Sequence, residues 1–105
     1  MRAAKIDANQ PAVVKAFRDA GASVTLLHRV GEGCPDAVVG WRGVNLLVEI
    51  KDGDKPPSAQ KLTPAQQDWH RDWRGQCCVV NSPQAALVLL GVIPIVGTIN
   101  EGEKP

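Results

Sequence analysis

Apolar and polar positions along the chain alternate with two periods, and the places where the period changes define the elements. In residues 7–20, Val13, Val14 and Phe17 recur at helical spacing opposite Lys15, Arg18 and Asp19, and Gly21 follows as a stop, which predicts a first helix. Asp7 or Asn9 can cap its start, and Pro11 is tolerated in a first turn, where its missing N–H has no helical partner. Residues 23–30 are rich in β-formers and end at Gly31-Glu32-Gly33, giving a first strand. Two apolar runs, 37–41 and 44–48, are separated only by Arg42-Gly43 and read as a tight hairpin. Thr63-Pro64-Ala65-Gln66 is a strong helix start, with threonine at the cap, proline in the first turn and glutamine three residues after the cap; this second helix is expected to run to Trp73. Residues 77–80 form a short apolar strand, and Ser82-Pro83 opens a last helix through Leu90, stopped by Gly91. The order is α, β, β, β, α, β, α, an α/β arrangement with a central mixed sheet flanked by helices.

Between the hairpin and the second helix, residues 52–58 carry two prolines, a glycine and alternating charges, the composition of an exposed loop. Residues 92–105 begin with an apolar run interrupted by Pro94 and finish in a charged tail. The apolar part is expected as an edge strand or as a contact with a second copy of the chain. A length of 105 residues suits one core, placed in residues 1–91, and leaves no room for a second catalytic domain. No run approaches the roughly 20 apolar residues of a membrane span, and the expected setting is a soluble, cytoplasmic protein. Three cysteines at positions 34, 77 and 78, without metal-ligand spacing, are expected as reduced, structural thiols. A net charge of +1 does not mark a non-specific DNA binder. Its distribution adds something, because Lys51, Lys55 and Lys61 flank the 52–61 stretch and Arg71 and Arg74 follow on the next helix.

The hairpin carries the chemistry. Asp36 opens its first strand, and Glu49 and Lys51 close its second. In an antiparallel pair the start of one strand lies beside the end of its partner, and alternation puts Glu49 and Lys51 on one face with Ile50 on the other, toward the core. Two acids and a lysine should therefore cluster where a divalent ion and a water could meet. Plainer readings exist: Asp36 after Pro35 as a turn residue accepting backbone N–H groups, and Glu49 with Lys51 as an exposed strand-end pair. An acid within an otherwise apolar strand argues against the second.

Asp36 followed by Glu49-Ile50-Lys51 in this element order resembles the PD-(D/E)xK superfamily of restriction-endonuclease-like nucleases, over roughly residues 5–90. More narrowly, Gly31-x-Gly33-x-Pro35-Asp36, Val48-Glu49-Ile50-Lys51 and Leu62-Thr63-x-x-Gln66 are similar to small stand-alone VRR-NUC domains, many of them phage-encoded. The resemblance implies a restriction-endonuclease-like core and a DNA endonuclease using Mg²⁺ or Mn²⁺. Asp36, Glu49 and the Ile50 carbonyl would be the metal ligands, and Lys51 would orient or deprotonate the attacking water. It also implies branched, flapped or Holliday-junction-like DNA as substrate and action as a homodimer. Hard oxygen ligands do suit Mg²⁺. A catalytically silent nucleic-acid-binding or assembly module on the same fold is the alternative.

Other positions are less sharply drawn. Gln66 is expected either at the site, where the family often has a glutamine, or only in the capping box with Thr63. Relatives commonly place a glutamate on the first helix; this chain has none before Glu32, and Asn9 is the candidate for that position, which favours one principal metal. His28 is expected as a half-buried histidine on the first strand, with an accessory role open. Lys55, Lys61 and His70 are candidates for phosphate contact, His70 from the surface. Trp69 and Trp73, at helical spacing, are expected to anchor the second helix in the core, and Trp41 at the hairpin tip to be exposed. Stacking on an unpaired base is open only to a ring left on the surface.

Overall fold

The computed structural model describes residues 6–92. The expected edge strand or dimer contact at 92–105 lies outside the described residues but for Val92. The elements are α1 (Gln10–Asp19), β1 (Ser23–Leu26), β2 (Ala37–Trp41), β3 (Val44–Ile50), a short 3-10 turn (Pro57–Gln60), α2 (Pro64–Asp72), β4 (Cys78–Val80) and α3 (Pro83–Leu90). The sheet order is β1-β2-β3-β4; the first two pairings are antiparallel and β3 with β4 is parallel. A parallel neighbour requires a crossover, which the 52–63 loop and α2 supply. Among the described residues no helix is long and apolar enough to cross a membrane.

The hairpin turn is as expected. Arg42 and Gly43 both have positive φ, 49° and 81°, the geometry whose twist matches that of the flanking strands. Register then follows, with Ala37 opposite Val48 and Trp41 opposite Val44. Alternation puts Val39, Leu46, Val48, Ile50, Cys78 and Val80 on one face, and α1 and α3 cover it with Val13, Val14, Phe17, Ala86 and Leu90. Phe17, Val13, Val39, Val48 and Ile50 are sealed from solvent, each contributing about 1.5–3 kcal/mol of transfer free energy. Val38, Leu47 and Val79 point to the opposite face, where no helix covers them as fully; Val79 is 46 % exposed.

Four expectations change. The first strand ends at Leu26, because the Leu27 N–H donates to the Asp36 carbonyl and residues 27–30 turn away, closed by Val30 N–H to Leu27 O. His28 therefore sits in a turn, half-buried, rather than on a strand face. Trp69 and Trp73 are not core anchors: α2 buries no residue, Trp73 is 45 % exposed, and the two rings stack on each other at 4.6 Å. Trp41 is half-buried and packs against the core from the hairpin tip, with the Arg42 guanidinium 4.8 Å above its ring. Asn9 occupies the cap position of α1 without capping it; its amide is used elsewhere.

β3 is longer than β4, and a side chain makes up part of the difference. The Leu47 N–H donates to Gln76 Oε1 at 2.7 Å, and Gln76 Nε2 donates to the Leu47 carbonyl at 3.1 Å, so one primary amide pairs with β3 as a strand residue would.

Candidate active site

The site forms where β2 begins and β3 ends. Pro35 is fully buried and fixes the approach to β2, leaving Asp36 half-buried at its first step. Asp36 Oδ2 accepts from the Ile50 N–H at 2.6 Å, across the ladder. Lys51 N–H instead donates to Val80 O, toward β4. The N–H and C=O of one strand residue point the same way, so the Ile50 carbonyl faces the Asp36 side while its side chain fills the core. Glu49, on the alternate face, is 2 % exposed, and Lys51 is 7 % exposed, with its Nζ 3.9 Å from Glu49 Oε2.

Gln66 joins these groups. Its Oε1 accepts from Lys51 Nζ at 2.7 Å and from the Thr63 N–H at 2.9 Å, and its Nε2 donates to Glu49 Oε2 at 2.9 Å. Thr63 Oγ1 accepts from the Gln66 N–H, which completes the capping box. The two roles weighed for this residue are thus one arrangement, with the cap and the site sharing a single amide.

The first turn of α2 is brought to this point by Gly33. Its φ is +83°, and a Cβ there would collide with the Ala65 carbonyl. Only glycine permits both the left-handed backbone and that close approach, and the Gly-x-Gly-x-Pro-Asp run therefore sets α2 and Asp36 together.

Electrostatics are dominated by the acid pair. Burial pushes Glu49 up to about 8; the neighbouring Asp36 carboxyl adds to the rise, Lys51 opposes it and Asp7 adds further. One carboxyl oxygen, Glu49 Oε1, is buried without a hydrogen-bond partner. An orphaned acceptor beside a second carboxyl is what a hard cation satisfies, and the Ile50 carbonyl adds a third oxygen, so the donor set fits Mg²⁺ or Mn²⁺. No group of three or more His, Cys, Asp or Glu with metal-holding geometry occurs among the described residues, which leaves two carboxyls and a main-chain carbonyl as the set available.

The remaining candidates divide. Asn9 reaches the site indirectly: its Nδ2 donates to the Lys51 carbonyl at 2.9 Å and to the Asn81 carbonyl at 3.1 Å, while its Oδ1 is buried and unpartnered. Lys55 stands at the mouth, half-buried and 3.5 Å from Asp7 Oδ1, and Lys61 is exposed on the same loop. His70 is half-buried rather than on the surface, with Nδ1 3.3 Å from Cys77 Sγ. His28 makes no hydrogen bond to a site side chain among the described residues, and its buried Nδ1 is unpartnered. Two neighbours were not foreseen. Cys34 lies close enough to the acids that burial, then Glu49, then Asp36 push its thiol up, and Asp7 adds charge beside Glu49. Their signal was in the sequence, since Cys34 is two residues from Asp36 and Asp7 two from Asn9, but neither spacing implies contact.

No family model and no curated protein matches the chain. Among solved structures, a chain described as a VRR-NUC domain superposes with a TM-score of 0.58 at 28 % identity, covering 78 % of this chain and 89 % of its own. In fold and in sequence the chain is thus similar to a VRR-NUC domain.

Proposed function

We propose that this domain is a metal-dependent DNA endonuclease that recognises branched or flapped DNA, four-way junctions included, and works as a homodimer. One observation carries the reading: a buried Glu49 with an unpartnered carboxyl oxygen beside the half-buried Asp36, flanked by Lys51 and Gln66. Two acids this close in a dry setting hold their charge poorly unless a cation joins them. Asp36, Glu49 and the Ile50 carbonyl would hold Mg²⁺ or Mn²⁺, which when bound lowers the pKa of a water and offsets charge building on the phosphate.

The chain's own groups do the rest. Gln66 fixes Lys51 and Glu49 relative to each other through the two ends of its amide. Lys51, held by that amide and by Glu49, orients the water that attacks phosphorus and takes part in its proton transfer. Lys55 and Lys61 offer positive charge to the phosphodiester backbone, Lys55 by exchanging Asp7 for a phosphate. Asn9 steadies the end of β3 through the Lys51 carbonyl. A domain of this size has no spare element for reading base edges, which favours recognition of DNA shape. One site per chain cuts one strand, so cutting both arms of a junction calls for two copies related by a two-fold axis.

The test uses plasmid, flap and four-way-junction DNA with Mg²⁺ or Mn²⁺, comparing the wild type with Lys51→Ala. Scission by the wild type that chelator abolishes, reduced about 100-fold or more in Lys51→Ala, is the expected result. Tight binding without metal-dependent scission in the wild type would replace this reading with a silent nucleic-acid-binding module.

A further inference from the structure

A second concave surface lies on α2, facing away from the core. Ala65, Asp68, Trp69, Asp72 and Trp73 share one side of the helix, and Glu32 closes the opposite wall, around a cavity of about 500 Å³. Its floor is the stacked Trp69–Trp73 pair, with ring planes 17° apart and Trp73 45 % exposed. Its rim is three carboxylates, and no cationic side chain lines it. Arg71 pairs with Asp68 and Asp72 from outside the lining, at 3.0 Å and 2.9 Å, and holds Asp72 below the usual carboxylate range, leaving the rim net negative. Asp72 and Trp73 also stand at the C-terminal, negative end of the helix dipole.

The geometry points to a docking site for an arginine-bearing basic peptide segment of a partner protein, its guanidinium stacked on the indole pair and hydrogen-bonded to the rim carboxylates. An aromatic face bordered by anions is complementary to a planar cation, and guanidinium satisfies both parts at once, stacking through its face and donating through its edge. The chain already pairs the same groups internally, where Arg42 lies over Trp41. A phosphate backbone is a poor occupant, because it would meet three carboxylates and the negative end of a helix. This inference is independent of the nuclease reading.

The test follows the indole N–H signals of Trp41, Trp69 and Trp73 by NMR while a hexa-arginine peptide, a hexa-lysine peptide or an unpaired oligothymidine is added. Hexa-arginine should shift Trp69 and Trp73 but not Trp41, with affinity about tenfold above hexa-lysine and about tenfold lower in the Glu32→Gln/Asp68→Asn double variant. Because α2 buries no residue, the variant should keep the fold, checked by its unchanged Trp41 signal. Equal binding of both peptides, undiminished binding in the double variant, or shifts produced by the oligothymidine instead would each overturn the proposal.

Discussion

Helices α1 and α2 are of nearly equal length, 10 and 9 residues, yet they are held by opposite means. α1 buries Gln10, Val13, Val14 and Phe17 against the sheet and needs no side-chain cap. α2 buries nothing and is fixed by polar contacts and one close backbone approach: the capping box, the Gln66 amide on Glu49 and Lys51, and the Gly33 contact with Ala65. Apolar burial is non-directional and large, so α1 supplies stability. Hydrogen bonds are directional and modest in net energy, so α2 supplies placement. The proposed site draws Gln66 from the second kind of helix, where orientation matters more than adhesion.

Substitutions that discriminate between the two regimes sharpen this contrast. Phe17→Ala should have the largest effect on folding, about 3–5 kcal/mol in denaturant midpoint measurements, because it empties the centre of the α1 contact. The acid pair comes next and is visible through pH. Glu49 has a folded pKa of about 8, above its ordinary value, so the folded state keeps a proton that the unfolded chain releases. Stability in the presence of chelator should therefore be full below about pH 4.5 and decline toward pH 8, by on the order of a few kcal/mol. Glu49→Gln should flatten that decline, whereas Mn²⁺ should restore wild-type stability at pH 8. A wild type whose urea midpoint does not fall across this range would show that the pair carries no such strain.

Gly33→Ala should cost roughly 1–3 kcal/mol through the positive φ and the collision with the Ala65 carbonyl, and should lower nuclease activity further by displacing Gln66. Gln66→Ala should cost only about 1 kcal/mol of stability, the loss of a cap, while activity falls about tenfold or more. Should the two losses prove equally mild, the amide is a cap and no more. Smallest is Trp73→Leu, expected within about 0.5 kcal/mol of wild type, since the ring is on the surface.

Much of this was legible in the residues, because the signals were local. Arg42-Gly43 between two apolar runs defined the hairpin, and strand alternation then put Asp36 beside the end of β3 with Ile50 turned inward. Thr63 to Gln66 marked a helix start whose cap forms within four residues. What was not legible depended on distant partners. Residues 27–30 have strand-like composition but leave the sheet once Leu27 bonds Asp36. The spacing of Trp69 and Trp73 fits a buried helix equally well; the core is filled by α1, α3 and the sheet, and α2 buries no residue. Trp41 looked exposed at a turn, yet its ring packs against the core, beside Gly21 of the α1–β1 connection. Asn9 looked like a cap because caps are read from adjacent residues, whereas its bonds go to the Lys51 and Asn81 carbonyls, 42 and 72 positions away.

The amide of Gln76 has a consequence for how copies of this chain meet. A strand that outruns its neighbour offers free N–H and C=O groups to any extended segment that comes alongside, and Leu47 stands just where β3 extends past β4. By taking both groups of Leu47, a side chain plugs that opening and discourages strand-by-strand growth of the sheet from one molecule into the next.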